Sequence, residues 1–187
     1  LRNTRERLRV LSADSPAQAI REYQQMRGKE PLDDARRYGL AIAHQQAGQG
    51  REALQELAPL AAAHPGNLWL QVAMAEAEAR AGELAQADRR FESLLARMPT
   101  HRALALSYAR VLGERNTRES GTRAVAVLRP LLGSAGNDPL FQQAYARANE
   151  IAGDDVRAGE AWAEAAYLGG RPEQALVQLN NLKKRIT

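Results

Sequence analysis

Residues 33–65 read DDARRYGLAIAHQQAGQGREALQELAPLAAAHP, and residues 67–99 repeat the pattern as NLWLQVAMAEAEARAGELAQADRRFESLLARMP. Three kinds of residue return every 34 positions, namely a small residue, a large apolar residue four positions later, and a closing proline: Ala19, Ala53 and Ala87; Tyr23, Leu57 and Phe91; Pro31, Pro65 and Pro99. A period of this length is typical of a helical hairpin repeated along a solenoid. The sequence therefore predicts an all-α solenoid of helical hairpins, whose long open surface favours binding over catalysis.

The same landmarks divide the 187 residues into successive hairpins of one solenoid domain. The predicted repeats span about 1–31, 33–65, 67–99, 101–136 and 138–170, and a capping helix follows at 172–186. In the fourth repeat the small residue, Ala124, comes 37 positions after Ala87 instead of 34. The polar segment 113–121, GERNTRESG, is bounded by glycines. It is therefore predicted to hold an inserted surface loop, in which Glu114–Ser120 is either mobile or projects as a contact loop.

Composition excludes several classes of protein. The net charge is +4, and no module of interleaved basic and aromatic residues accompanies it, so we expect no nucleic-acid partner. No stretch reaches the roughly 18 apolar residues that span a bilayer. Cysteine is absent, which excludes disulfides and thiolate zinc sites. The chain begins at Leu1 without a signal peptide, and we expect it to be part of a longer protein.

The sequence also lacks the residues of a catalytic site. The three histidines, His44, His64 and His101, fall in different repeats, and no His-Glu-x-x-His pair places two zinc ligands on one helix face. No glycine-rich phosphate loop or serine-nucleophile turn is present. We therefore expect no catalytic residue, no metal and no cofactor in this chain, which is not by itself an enzyme.

The recurring positions resemble the tetratricopeptide repeat family over most of the chain. Its small eighth position is occupied by Ala41, Ala75, Ala109 and Ala146, and its small twentieth position by Ala53, Ala87, Ala124 and Ala158. The resemblance implies a right-handed solenoid of helical hairpins, in which proteins or peptide segments bind along a concave face formed by the first helix of each hairpin. On this face the resemblance places ten side chains: Tyr38, Ile42, Gln45, Trp69, Val72, Glu76, Leu106, Arg110, Gln143 and Arg147. Exposed Trp and Tyr side chains in such a groove would anchor a peptide.

A narrower resemblance is carried by the segments RYGLAIAHQQAGQGREALQELAPL and AWAEAAYLGGRPEQALVQL. They look like the C-terminal repeat region of periplasmic zinc metalloproteases similar to the β-barrel assembly-enhancing protease. This resemblance implies a periplasmic chaperone-like docking domain in outer-membrane protein assembly and quality control. Its partners would be β-barrel proteins, their assembly machinery and the parent catalytic domain. The alternative is a stand-alone scaffold in secretion or envelope assembly, with no attached enzyme.

Overall fold

The computed structural model describes residues 2–186, and helices account for all of their regular secondary structure. The all-α fold class is therefore confirmed. The helices are α1 (Arg2–Ser12), α2 (Pro16–Lys29), α3 (Asp34–Gln46), α4 (Gly50–Ala63), α5 (Leu68–Arg80), α6 (Leu84–Arg97), α7 (Arg102–Arg115), α8 (Arg118–Leu128), α9 (Leu132–Ala135), α10 (Pro139–Ala152), α11 (Asp155–Leu168) and α12 (Pro172–Ile186). A 3₁₀ turn at Arg129–Leu131 joins α8 to α9.

The helices form two compact units that divide within α6, between Ser93 and Leu94. In the first unit, α4 lies between α3 and α5, and the side chains of all three meet in one core cluster: Tyr38, Ala41, Ala53, Leu57, Leu60, Leu70, Ala73 and Ala77. The second helix of a hairpin thus packs on the first helix of the next hairpin, which is why the small and large apolar residues recur together. The assignment of all the repeats to one solenoid domain stays a prediction.

Five turns, the first of them between α3 and α4, each have a residue in the left-handed region of backbone space. Four of these residues are glycines, with φ between 75° and 86°: Gly48, Gly82, Gly153 and Gly170. The fifth is Asn116, with φ of 51°, and it stands 34 positions after Gly82. Glycine has no Cβ to clash in this conformation, and asparagine tolerates it better than most residues. The turn positions therefore keep the 34-residue step through the first three complete hairpins.

The predicted loop at 113–121 is wrong, because nearly all of this segment is helical. The α7 helix continues to Arg115, and α8 begins at Arg118 after a two-residue connection. The Thr117 hydroxyl accepts a hydrogen bond from the Ser120 amide, and the Ser120 hydroxyl accepts one from the Thr117 amide. This reciprocal capping box starts a helix. The three extra residues thus lengthen α8 by almost one turn ahead of Gly121, and the polar residues that suggested a loop form the helix cap.

A buried carboxylate joins three helices of the first unit. Glu56 on α4 is 9% exposed and accepts two hydrogen bonds from Arg27 on α2, at 2.8 and 2.6 Å. Arg37 on α3 donates a third, from Nε at 3.2 Å. Burial alone would raise the pKa of Glu56, but the two guanidinium groups outweigh it and hold that pKa below its usual 4.5. The ionised form of Glu56 therefore stabilises the fold.

The stabilisation from Glu56 should disappear in acid. A carboxyl group whose pKa is lowered by folding contributes stability that is present above its unfolded pKa and is lost as pH falls through the folded value. Glu56→Gln should lower the free energy of unfolding by about 2 kcal/mol at pH 7 and much less at pH 2. Urea unfolding at both pH values measures this. Glu30→Gln is the control, since the Glu30 side chain is 69% exposed and its ion pair with Arg36 should contribute little. Equal losses at the two pH values would contradict the prediction.

Candidate functional site

The predicted binding face begins on α3, where the structure buries its proposed aromatic anchor. Tyr38 is 5% exposed and lies in the core cluster with Leu57. Burial raises its pKa, and a hydrogen bond with Arg7 of α1 offsets part of that rise. The prediction that Tyr38 is an exposed anchor is therefore wrong. The reason is that α1 packs against α3 and leaves the Tyr38 ring little access to solvent.

Two more of the predicted residues are buried instead of facing a partner. The Gln45 side-chain amide donates to the Ala73 carbonyl oxygen at 2.8 Å and so joins α3 to α5, and Gln45 itself is 6% exposed. Val72, on α5, is 5% exposed. A bound segment would therefore not reach either side chain without movement.

The accessible part of the face in the first unit is apolar. Trp69 is 52% exposed, and Ile42 and Glu76 are half-buried. On α1, Leu8 and Leu11 are 61% and 57% exposed, and they stand one period before Ile42 and Gln45. Sequence reasoning missed these two leucines, because the family pattern is weak in α1. Counting back 34 positions from the predicted row would have found them.

The second unit presents a basic version of the same register. Arg110 on α7 and Arg147 on α10 are both exposed, and the predicted residues Leu106 and Gln143 are half-buried. A Cβ added at Gly113 would lie 3.7 Å from Nε of Arg147, so that side chain reaches from α10 to α7. Leu140, at the start of α10, is 67% exposed. These features place a large apolar side chain and two guanidinium groups on the first helices of this unit.

The histidines have local structural roles. His44 Nδ1 lies 2.7 Å from the Gln49 side-chain oxygen, and His101 caps α7 by accepting from the Leu104 amide. Within residues 2–186, no three His, Cys, Asp or Glu side chains are grouped so that they could hold a metal ion. In that same part of the chain, no helix is both long and apolar enough to cross a membrane.

Residues 10–73 match the family model described as Tetratricopeptide repeat. The match runs from the end of α1 into α5 and includes Leu11, Ile42 and Trp69 of the accessible face. A search of curated proteins finds no match. This span is thus similar to tetratricopeptide repeats, whose stacked helices form extended concave surfaces that bind other proteins.

Proposed function

We propose that the chain binds segments of partner proteins along the exposed side chains of its first helices. The observation that carries this proposal is the exposure of Leu8, Leu11 and Trp69, at the register that faces a bound segment in the family the sequence resembles. Single exposed apolar residues are common on protein surfaces, whereas a set at the groove-facing positions of two first helices favours a binding surface. Large aromatic side chains contribute most of the affinity at such surfaces.

The second unit adds a preference for acidic segments. Arg110 and Arg147 occupy the register of Ile42 and Glu76, and both are exposed. Guanidinium groups bind carboxylates through paired hydrogen bonds. The surface of the second unit, taken by itself, therefore suits a segment that carries one or more carboxylates. Exposed charges mainly affect association rate and specificity, so Trp69 and the leucines should dominate affinity.

We further propose that this module is the docking domain of a periplasmic metalloprotease that acts on outer-membrane proteins. The support is the sequence resemblance of its repeat segments alone. The competing proposal is a stand-alone scaffold of the envelope. The sequence of the whole polypeptide distinguishes them, because a protease would carry a His-Glu-x-x-His helix elsewhere in the chain. A full-length reading frame without that helix would overturn the protease proposal and leave the binding proposal intact.

Site-specific photo-crosslinking tests the binding surface directly. A photoreactive residue at Leu11, Trp69 or Leu106 should trap partner proteins in bacterial cells. Matched positions at Gln55 and Arg89 are exposed on second helices and should trap little. Cross-links that arise only at Gln55 and Arg89 would show that the second helices form the binding face, and would overturn the proposal.

A further inference from the structure

The last helix repeats the pattern of the second helices. Ala175, Leu179 and Leu182 have the spacing of three apolar positions that occurs in the second part of all five earlier hairpins: Ala19, Tyr23 and Met26; Ala53, Leu57 and Leu60; Ala87, Phe91 and Leu94; Ala124, Leu128 and Leu131; Ala158, Trp162 and Ala165. Gly170, with φ of 75°, precedes Ala175 by five residues, as Gly48 precedes Ala53. The α12 helix is thus built as a second helix, the kind that the first helix of a following hairpin covers.

The exposure of the middle position sets α12 apart. The equivalent residues Tyr23, Leu57, Phe91 and Leu128 are 1%, 0%, 0% and 0% exposed and Trp162 of α11 is half-buried, whereas Leu179 is 45% exposed. On the same helix, Leu176 is 61% and Ile186 is 64% exposed. Ala175 and Leu182 are buried, and Leu182 lies against Gly159 of α11. Half of the apolar face of α12 therefore packs in the second unit, and the other half is open in the part of the chain that the structure describes.

The first unit shows what covers this face elsewhere. Leu57 of α4 is buried beneath α5, which contributes Leu70, Ala73 and Ala77 to the shared core. Those three residues lie at positions i, i+3 and i+7 of α5, along one face of a helix. An amphipathic helix with apolar residues at the same spacing would therefore fit over Leu179.

The charge of α12 indicates the chemistry of that helix. The last turn carries Lys183, Lys184 and Arg185. In α2, the register of Lys183 is held by Arg27, which binds Glu56 of the following hairpin, and Asp33 and Asp34 stand where that hairpin begins. At this junction, a basic residue at the end of a second helix is thus paired with a carboxylate of the covering hairpin. Carboxylates at the N-terminus of a helix also interact favourably with its dipole.

We propose that Leu176, Leu179 and Ile186, the open face of α12, bind an amphipathic helix of a partner protein with carboxylates in its first turn. A second copy of this chain does not supply such a helix through α1. Two periods before Leu70, Ala73 and Ala77, the face of α1 presents three exposed arginines: Arg2, Arg5 and Arg9. Head-to-tail stacking of two copies would therefore set arginines against the basic end of α12. This surface is separate from the row of first-helix side chains proposed above.

A designed peptide tests the proposal. The probe is the α5 sequence Asn67–Ala81 preceded by Asp-Asp, labelled with a fluorophore and titrated with the 187-residue chain. Leu179→Glu should weaken its binding by about tenfold or more, as expected when a charge enters an apolar contact. Val177→Glu is the matched control. Val177 is 57% exposed and holds the register of the exposed residues Gln55 and Arg89, so its substitution should leave binding unchanged. A Lys-Lys version of the peptide should bind several-fold more weakly, with a difference that narrows in high salt.

Three outcomes would overturn the proposal. Peptide binding that is equal in the two glutamate variants would show that α12 is not the site. Binding that is lost in Trp69→Ala and kept in Leu179→Glu would place the peptide on the first-helix surface instead. A dimeric mass in light scattering, abolished by Leu179→Glu, would show that two α12 helices cover each other. Circular dichroism of each variant confirms that helix content is unchanged.

Discussion

Alanine at Gly121 should lower the free energy of unfolding of the second unit by about 3 kcal/mol. The side of α8 at Gly121 touches the end of α10, and an added Cβ would lie 2.6 Å from the carbonyl carbon of Ile151. The clashing atoms belong to the backbone and cannot rotate away. Gly50 makes the same approach in the first unit, where an added Cβ would lie 2.6 Å from the carbonyl carbon of Arg80. The same substitution there should therefore have a similar effect.

Urea unfolding followed by circular dichroism measures these losses. The control is Gly28→Ala, because a Cβ at Gly28 in α2 would meet nothing within 4 Å. Alanine favours a helix over glycine by up to about 1 kcal/mol, so Gly28→Ala should be neutral or stabilising. If Gly121→Ala were as stable as this control, the close approach of α8 and α10 would not limit the packing of the second unit.

The repeating hairpins and the start of the last helix could be predicted from the sequence. The 34-residue step predicts the hairpins because each second helix packs between two first helices. That packing requires a small and a large apolar residue at fixed positions. A helix predicted at 172–186 lies at Pro172–Ile186, since a turn glycine and a proline at the first turn define its start, whereas its predicted role as a cap stays a prediction. Features that depend on neighbouring residues, such as the start of a helix, can therefore be predicted without the structure.

Contacts between segments that are distant in the sequence could not be predicted in the same way. The burial of Tyr38 depends on α1, whose residues fit the repeat pattern poorly. It docks through Val10, in a core with Tyr23 of α2, and through Glu6, which accepts a hydrogen bond from the Tyr23 hydroxyl. Neither contact follows from the spacing of apolar residues in α1. Likewise, Asn116 replaces a turn glycine, and the polar residues after it suggest a loop although they cap a helix.

Trp69 is exposed and Tyr38 is buried, so substitutions of these two aromatic residues should have opposite effects. Trp69→Ala should weaken partner binding by roughly thirtyfold, about 2 kcal/mol, because a large exposed aromatic at a binding surface contributes most when it becomes buried in the complex. Its effect on folding should be small, since Trp69 is 52% exposed. Tyr38→Ala should instead lower the free energy of unfolding by about 3 kcal/mol or more, as expected for a large aromatic in a core.

Two measurements separate these effects in the same set of variants. Titration of a cross-linked and identified partner reports affinity, and thermal unfolding reports stability. Trp162→Ala is the matched control, because it removes the same residue type from a second helix, where the indole nitrogen donates to Glu150 at 2.8 Å. Its affinity for the partner should stay within about threefold of the original chain, which is less than 1 kcal/mol. Equal losses of affinity in Trp69→Ala and Trp162→Ala would mean that the first helices do not form the binding surface. A fully stable Tyr38→Ala variant with lost affinity would return Tyr38 to the surface, because only a side chain that reaches the partner can change binding without changing the fold.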